Sequence, residues 1–450
     1  MSPLPLVSHI SPDSIIAWRA DGSVTLRQFL AEVSQLAAIF PAGSHLLNMC
    51  SDRYCFSVGL AAAIVAGKVS LLPSSRTPGV IRQIKLFAPD AFCLTDDDAC
   101  TIDLPQLRYP SMATSQQAQS GTFVIPQIDS QQRIAVLFTS GTTGIPQPYP
   151  KTWGALVSSA QAEALRLGRL HDTQCTLVGT VPPQHMYGFE STVLMAWLSG
   201  NALSHAQPFY PADICRSLAA LPMPRVLVSS PVHLRALLDS ELDLPEIMHV
   251  VSATAPLSNQ LAQDIEARCH APLMEIYGST ETGLIATRRP TQSAEWQLLP
   301  GIKLAVEGDR IFAYGAHVET PIPMGDILEP VTDELFLLHG RIADLVNIAG
   351  KRHSLASLNN LLNAIPGVVD GAFYMPDETG HDHVTRLAAC VVAPGMDAPH
   401  LLAALREQID PVFLPRPLLF VDALPRNSTG KLPREALQAL FRNHHTRKSQ

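Results

Sequence analysis

Val136-Leu137-Phe138-Thr139-Ser140-Gly141-Thr142-Thr143-Gly144 joins two contrasting halves. From Ile134 to Phe138 the chain is apolar and β-branched, as a buried strand requires. The hydroxyl and glycine residues that follow favour a turn, so the strand is expected to stop near Phe138. A strand running into a loop of unhindered N–H and O–H donors is one way proteins hold phosphate. Alone, the same loop fits a surface turn equally well. It is not the common nucleotide-binding loop, which needs Gly-x-x-x-x-Gly-Lys-Ser/Thr. Here Ile145 and Pro146 follow Gly144, and the next lysine is Lys151.

Helix-like and strand-like segments alternate around this stretch. Leu26, Phe29, Leu30, Val33, Leu36 and Ala37 fall at helical spacing within residues 25–39. Residues 45–49 read as a strand, 54–66 as a helix closed by Gly67, and 69–72 as the next strand. Residues 176–181, 225–229 and 249–252 are further apolar or β-branched runs. This alternation predicts an α/β sheet with helical crossovers. From Ile302 the texture changes to short strands (303–306, 310–314 and 335–338) between glycine and charged turns, a β subdomain. After Gly340 a smaller unit begins. Helices are expected at 355–364, 400–409 and 434–441, with strands at 371–375, 388–392 and 418–421.

Four hundred and fifty residues are too many for one ordinary core, so at least two domains are expected. Hydrophobic residues make up 46% and charged residues 16%, which suits a well-buried fold rather than a disordered chain. A net charge of −8 argues against a general nucleic-acid binder. The most apolar run, residues 58–67, is broken by Lys68 and falls short of the ~20 residues that span a membrane. The first residues lack the basic start and apolar core of a secretory leader. Eight scattered cysteines, with no Cys-x-x-Cys pair, read as buried thiols in a reducing cytoplasm.

Three more clusters accompany the hydroxyl loop. Tyr277-Gly278-Ser279-Thr280-Glu281-Thr282-Gly283 is the first. Gly340-Arg341 with Asp344, ending in Gly350-Lys351-Arg352, is the second. Pro425-Arg426-Asn427-Ser428-Thr429-Gly430-Lys431 is the third. In this order the four clusters resemble the acyl-adenylate-forming superfamily: acyl-CoA synthetases, adenylation domains and luciferases. The resemblance covers nearly the whole chain. The short length and Lys151-Thr152-Trp153 are most similar to stand-alone acyl or aryl acid ligases of aryl-polyene-type pathways.

The resemblance implies a large N-terminal α/β domain with a β subdomain, residues 1–340, for ATP and acid. A small mobile α+β domain, residues 341–450, would carry the catalytic lysine. A carboxylic acid, aromatic or unsaturated, would attack ATP to give acyl-AMP. The acyl group would then pass to a thiol of an acyl-carrier protein, or alternatively of CoA. Thr139, Ser140, Gly141, Thr142, Thr143 and Gly144 would wrap the β- and γ-phosphates. Glu281 would hold Mg²⁺, since a hard cation prefers oxygen ligands. Thr280 would donate to the α-phosphate. Tyr277, with Gly278 and Ser279 beside it, would offer its ring to adenine. Thr254, Ala255 and Pro256 would form the turn next to that base, with Thr254 at a place often held by glycine. Asp326 would accept both ribose hydroxyls, and Arg341 would reach the same ribose. His185, in Pro182-Pro183-Gln184-His185-Met186-Tyr187-Gly188-Phe189, would gate the acid, while Gly188 leaves room for it. Lys431 would touch both the acid carboxylate and the α-phosphate.

The chain departs from the family at two points. Gln147 stands where a lysine is common, and Lys151 is the candidate replacement. The pivot of the small domain falls on Ala343, with Asp344 next. Two rival readings are a luciferase-like oxygenase and a non-catalytic nucleotide-binding relative. His381-Asp382-His383 and His444-His445 lack a third metal ligand at proper spacing. Ser279 has no Gly-x-Ser-x-Gly frame for a hydrolase.

Overall fold

The computed structural model describes residues 3–73, 75–110, 123–140, 146–167, 174–308, 310–341, 345–348, 351–376, 386–427 and 432–448. Among these, two sheets dominate the first three quarters of the chain. In the larger, strands Thr176–Gly179, Arg225–Ser229, His249–Ser252 and Leu273–Ser279 run parallel and side by side. Antiparallel strands extend it, through Gly283–Arg288 and Trp296–Leu298 to Leu335–Arg341 and Asp326–Pro330. In the smaller, Val69–Leu72, His45–Asn48 and Phe92–Thr95 are parallel neighbours.

Helix Arg53–Val65 lies between the two sheets, against strands of both. Every residue from Arg53 to Ile64 is buried, as expected for a helix that is apolar all round. Asp52 starts it by accepting from the N–H groups of Tyr54 and Cys55 at 2.8 and 3.0 Å. Helix Leu26–Ala38 packs alongside it, closed at its start by a reciprocal Thr25–Gln28 capping box.

Strand Arg133–Ser140 runs past Phe138 and includes Thr139 and Ser140, two residues beyond the turn expected there. The reason is its partner. Pro146–Thr152 pairs with it antiparallel, Pro146 opposite Ser140 and Gln147 opposite Thr139. Prolines at 146, 148 and 150 are compatible with a strand because they alternate and the strand is the last of its sheet. Their missing N–H groups fall on the unpaired side. Tyr149 and Lys151 therefore share one face.

Beyond Arg341, hairpin Leu345–Ile348/Lys351–Ser354 leads into helix Leu355–Asn363. A three-stranded sheet (Asp370–Tyr374, Ala388–Val392, Leu418–Phe420) and helices Ala398–Gln408 and Arg434–Lys448 follow. Val346, Leu358, Phe373, Ala389 and Leu401 belong to a core separate from that of the large sheets. The whole is the α/β architecture expected: a large N-terminal region with a β subdomain (Lys303–Glu307, Arg310–Gly315, Val318–Pro323) and a small α+β unit. All eight cysteines are free, and six of them are buried.

Candidate active site

In a parallel sheet, ligands bind beyond the carboxyl ends of the strands. Several of the sequence-predicted residues lie there. Thr254 follows His249–Ser252, Tyr277 to Glu281 finish Leu273–Ser279, and His185 comes after Thr176–Gly179.

Tyr277 and Asp326 meet directly. The Tyr277 hydroxyl donates to Asp326 Oδ2 at 2.5 Å. Its ring is half-buried, tilted against Trp296 at 5.5 Å and Phe336 at 5.7 Å. Asp326 in turn lies opposite Arg341 across an antiparallel pair. Only the backbone of Arg341 is described, and the same holds for Ser140.

Thr280 and Glu281 occupy the tip of the turn between Leu273–Ser279 and Gly283–Arg288. Ser279 and Thr282 tie its base, each N–H donating to the other's hydroxyl at 3.1 and 3.2 Å. Gly283 has φ +72°, and a Cβ there would lie 3.1 Å from Glu190 Oε1. Gly278 lies in the same strand end, exposed like Ser279.

Thr254 adopts φ +82°, a left-handed conformation that a β-branched residue rarely takes. The backbone here keeps the shape that glycine would give, at a cost in strain. Ala255 and Pro256 follow, and Leu257 N–H donates to Glu275 Oε1 at 3.1 Å. Glu275, buried, also receives Arg288 Nε at 2.7 Å, so one ion pair anchors this turn to the central strand.

His185 caps a one-turn helix, its Nδ1 accepting from Tyr187 N–H at 3.3 Å. Gly188 does not open space for a substrate: a Cβ there would collide with the carbonyl oxygen of Pro182. Met186, Tyr187 and Phe189 are buried, and the Tyr187 hydroxyl lies 3.0 Å from the carbonyls of both Ser229 and Val251. They belong to the core.

Lys151 is engaged by the turn of Glu281. Its Nζ donates to the Glu281 carbonyl at 2.9 Å from a half-buried position. Gly141, Thr142, Thr143, Gly144, Ala343, Asp344, His381, His383 and Lys431 lie outside the described residues, as do the side chains of His444 and His445. Among the described residues no three His, Cys, Asp or Glu side chains could hold a metal unaided. A lone carboxylate at a turn tip still suits Mg²⁺, which keeps waters and takes phosphate oxygens for its other ligands.

Three buried groups were not singled out from sequence. Arg53, 0% exposed, donates through one terminal nitrogen to the carbonyls of Gly179 and Val181 at 3.0 and 2.7 Å, holding the strand end before His185. Burial lowers its pKa to about 10, so it stays charged at neutral pH. Glu190 and Glu163 lie beneath the site. Their only sequence signal is an acid inside an apolar run, residues 186–198 for Glu190.

Neither Glu163 oxygen has a hydrogen-bond partner, although the equally unpartnered Ser191 hydroxyl is nearby. Burial pushes its pKa up from 4.5 to about 8, and the like charge of Glu190 adds to this. Between pH 4.5 and 8 the unfolded chain releases a proton that the folded chain keeps, so this group costs stability as pH rises. Glu163→Gln is expected to relieve on the order of 3 kcal/mol by pH 8. Thermal unfolding should show the variant well above the parent at pH 8 and nearly level with it at pH 4. A constant difference at both would exclude this role.

A match to the family described as AMP-binding enzyme covers residues 11–312. The 4-coumarate–CoA ligase of Rhodobacter capsulatus is 29% identical over 304 residues, 67% of this chain and 75% of the relative. The 4-chlorobenzoate–CoA ligase of an Arthrobacter species is 24% identical over 353 residues, 69% and 66% of the two chains. Among solved structures, the o-succinylbenzoate CoA synthetase of Bacillus subtilis in complex with its acyl-adenylate intermediate superposes with TM-score 0.80, at 19% identity over 97% of this chain and 99% of that one. Its complex with ATP and magnesium ion gives 0.78, at 20% identity over 95% and 97%. These structures share the fold. No helix among the described residues is long and apolar enough to cross a membrane. The chain belongs to the AMP-binding enzyme family and is an ATP-using, AMP-forming acid–thiol ligase.

Proposed function

We propose that this ligase activates an aromatic or unsaturated carboxylic acid and loads it onto the thiol of an acyl-carrier protein. The observation that carries the site is the Tyr277–Asp326 hydrogen bond at 2.5 Å, with Asp326 across from Arg341. In this reading Asp326 and Arg341 take the ribose. Tyr277, with Gly278 and Ser279, and the Thr254–Ala255–Pro256 turn take the adenine. Residues 139–144 take the β- and γ-phosphates, Thr280 the α-phosphate, and Glu281 the Mg²⁺. When bound, Mg²⁺ would neutralise phosphate charge. His185 borders the acid.

Lys431 brings charge to the reacting centre. A carboxylate oxygen forms a bond to the α-phosphorus as the bond to pyrophosphate breaks. The thiol then attacks the acyl carbon and AMP departs. Catalysis is mainly positioning and charge stabilisation. Residues 1–340 and 341–450 act as two domains, with the smaller swinging about Ala343 between the two steps.

Aromatic acids are favoured because the curated relatives above are named for 4-coumarate and 4-chlorobenzoate. Those same names favour CoA as the second reading for the acceptor. The test is ATP–pyrophosphate exchange across aromatic, aliphatic and amino acids, repeated with CoA and with a carrier protein. Exchange is expected with aromatic or unsaturated acids and thioester formation on the carrier. Exchange confined to saturated acids would overturn the substrate class, and turnover with CoA alone would overturn the acceptor.

A further inference from the structure

Lys151 stands four residues after Gln147, on a strand whose prolines leave its backbone little freedom. Its ammonium is directed inward, under the turn that carries Glu281, and donates to the Glu281 carbonyl at 2.9 Å. Glu190 is the strongest negative partner of this ammonium, followed by Glu281 and Glu319. Glu190 is 4% exposed and accepts from Ser159 Oγ at 2.8 Å. It lies on the far side of the same turn, against Gly283. On the same strand as Lys151, Tyr149 lies in the neighbourhood of Glu281 and Thr139. The turn is thus held at its main chain by Lys151, with Glu190 packed against its base at Gly283.

We propose that Lys151 is a positioning residue, which with Glu190 fixes the Glu281 turn so that its carboxylate is presented to the metal–nucleotide complex. It is not a substitute phosphate ligand for the lysine absent at 147. This rests on the reading of Glu281 as the Mg²⁺ ligand. An ammonium engaged by the Glu281 main-chain carbonyl has one fewer donor for phosphate. Removing it frees the turn, not the phosphates.

The test uses the full chain as Lys151→Met, Glu190→Gln and the double variant. Calorimetry measures binding of a non-hydrolysable ATP analogue with and without Mg²⁺, alongside thermal unfolding and the Mg²⁺ dependence of pyrophosphate exchange. Lys151→Met is expected to weaken binding about ten-fold with Mg²⁺, the loss of roughly one charge-assisted hydrogen bond. Binding without Mg²⁺ should barely change. Lys151→Met should also unfold at lower temperature, since Glu190 loses its counter-charge. The double variant should regain the midpoint but not the Mg²⁺-dependent affinity. Equal weakening with and without Mg²⁺ would overturn the proposal in favour of a phosphate ligand. Recovery of both properties in the double variant would reduce Lys151 to a counter-charge and overturn it too. If the parent protein binds the analogue identically with and without Mg²⁺, the metal reading of Glu281 fails first.

Discussion

Lys431→Ala is expected to lower the rate of acid adenylation by roughly 10²–10³-fold, the effect of losing one donor to the charge developing in the transition state. The physical problem at this step is the approach of two anions. The acid's carboxylate must come within bonding distance of an α-phosphorus surrounded by negative oxygens. A compact ammonium on a flexible stem, the part proposed for Lys431, would neutralise both at once. Transfer of a preformed acyl-AMP to the thiol makes no such demand and should slow far less. Pyrophosphate exchange reports the first step, and thioester formation from synthetic acyl-AMP reports the second. Equal losses in both would remove Lys431 from its assigned place.

Asp326→Ala should raise the KM for ATP by about 10²-fold, with a smaller change in kcat. A carboxylate presenting two acceptors to a vicinal diol makes two charge-assisted hydrogen bonds, each contributing roughly 1.5–3 kcal/mol. Because the ribose is remote from the reacting phosphorus, most of this is binding shared by ground and transition states, which appears in KM. Asp326 also holds the Tyr277 hydroxyl at 2.5 Å, so the substitution would also loosen the ring proposed to take the adenine. Tyr277→Phe separates the two contributions. It keeps the ring and the carboxylate and should cost about ten-fold or less. If Tyr277→Phe matches Asp326→Ala, Asp326 acts through the tyrosine and not on the ribose.

Elements set by local chemistry were legible in the sequence. The expected strand at residues 69–72 is the observed Val69–Leu72, and the helix expected from Thr25 starts with that residue as its cap. Such features depend on spacing and capping within a few residues. The hairpin of Arg133–Ser140 was harder, because proline content argues against a strand until the edge position is known. Thr139 and Ser140 were read as turn, yet pairing with the proline strand extends them. Candidate residues carrying a motif, such as Tyr277, Glu281 and Asp326, could be named, but the bond joining the first and last spans 49 positions and has no local signal. Arg53 was invisible for the same reason. Its carbonyl partners at Gly179 and Val181 come from strand ends 126 and 128 residues away. Gly188 shows the opposite error, since a glycine in a pocket motif suggested room for a ligand while the Pro182 carbonyl fills that room.

The alternation of Pro146, Pro148 and Pro150 along the last strand of the smaller sheet also bears on how molecules of this protein meet one another. An open strand edge is a template on which another chain can add by backbone hydrogen bonding. Three missing donors in seven residues leave that edge with acceptors and almost nothing to donate, so an incoming strand finds no ladder to complete. The segment whose Lys151 donates to the Glu281 carbonyl thereby also guards the sheet against edge-to-edge aggregation.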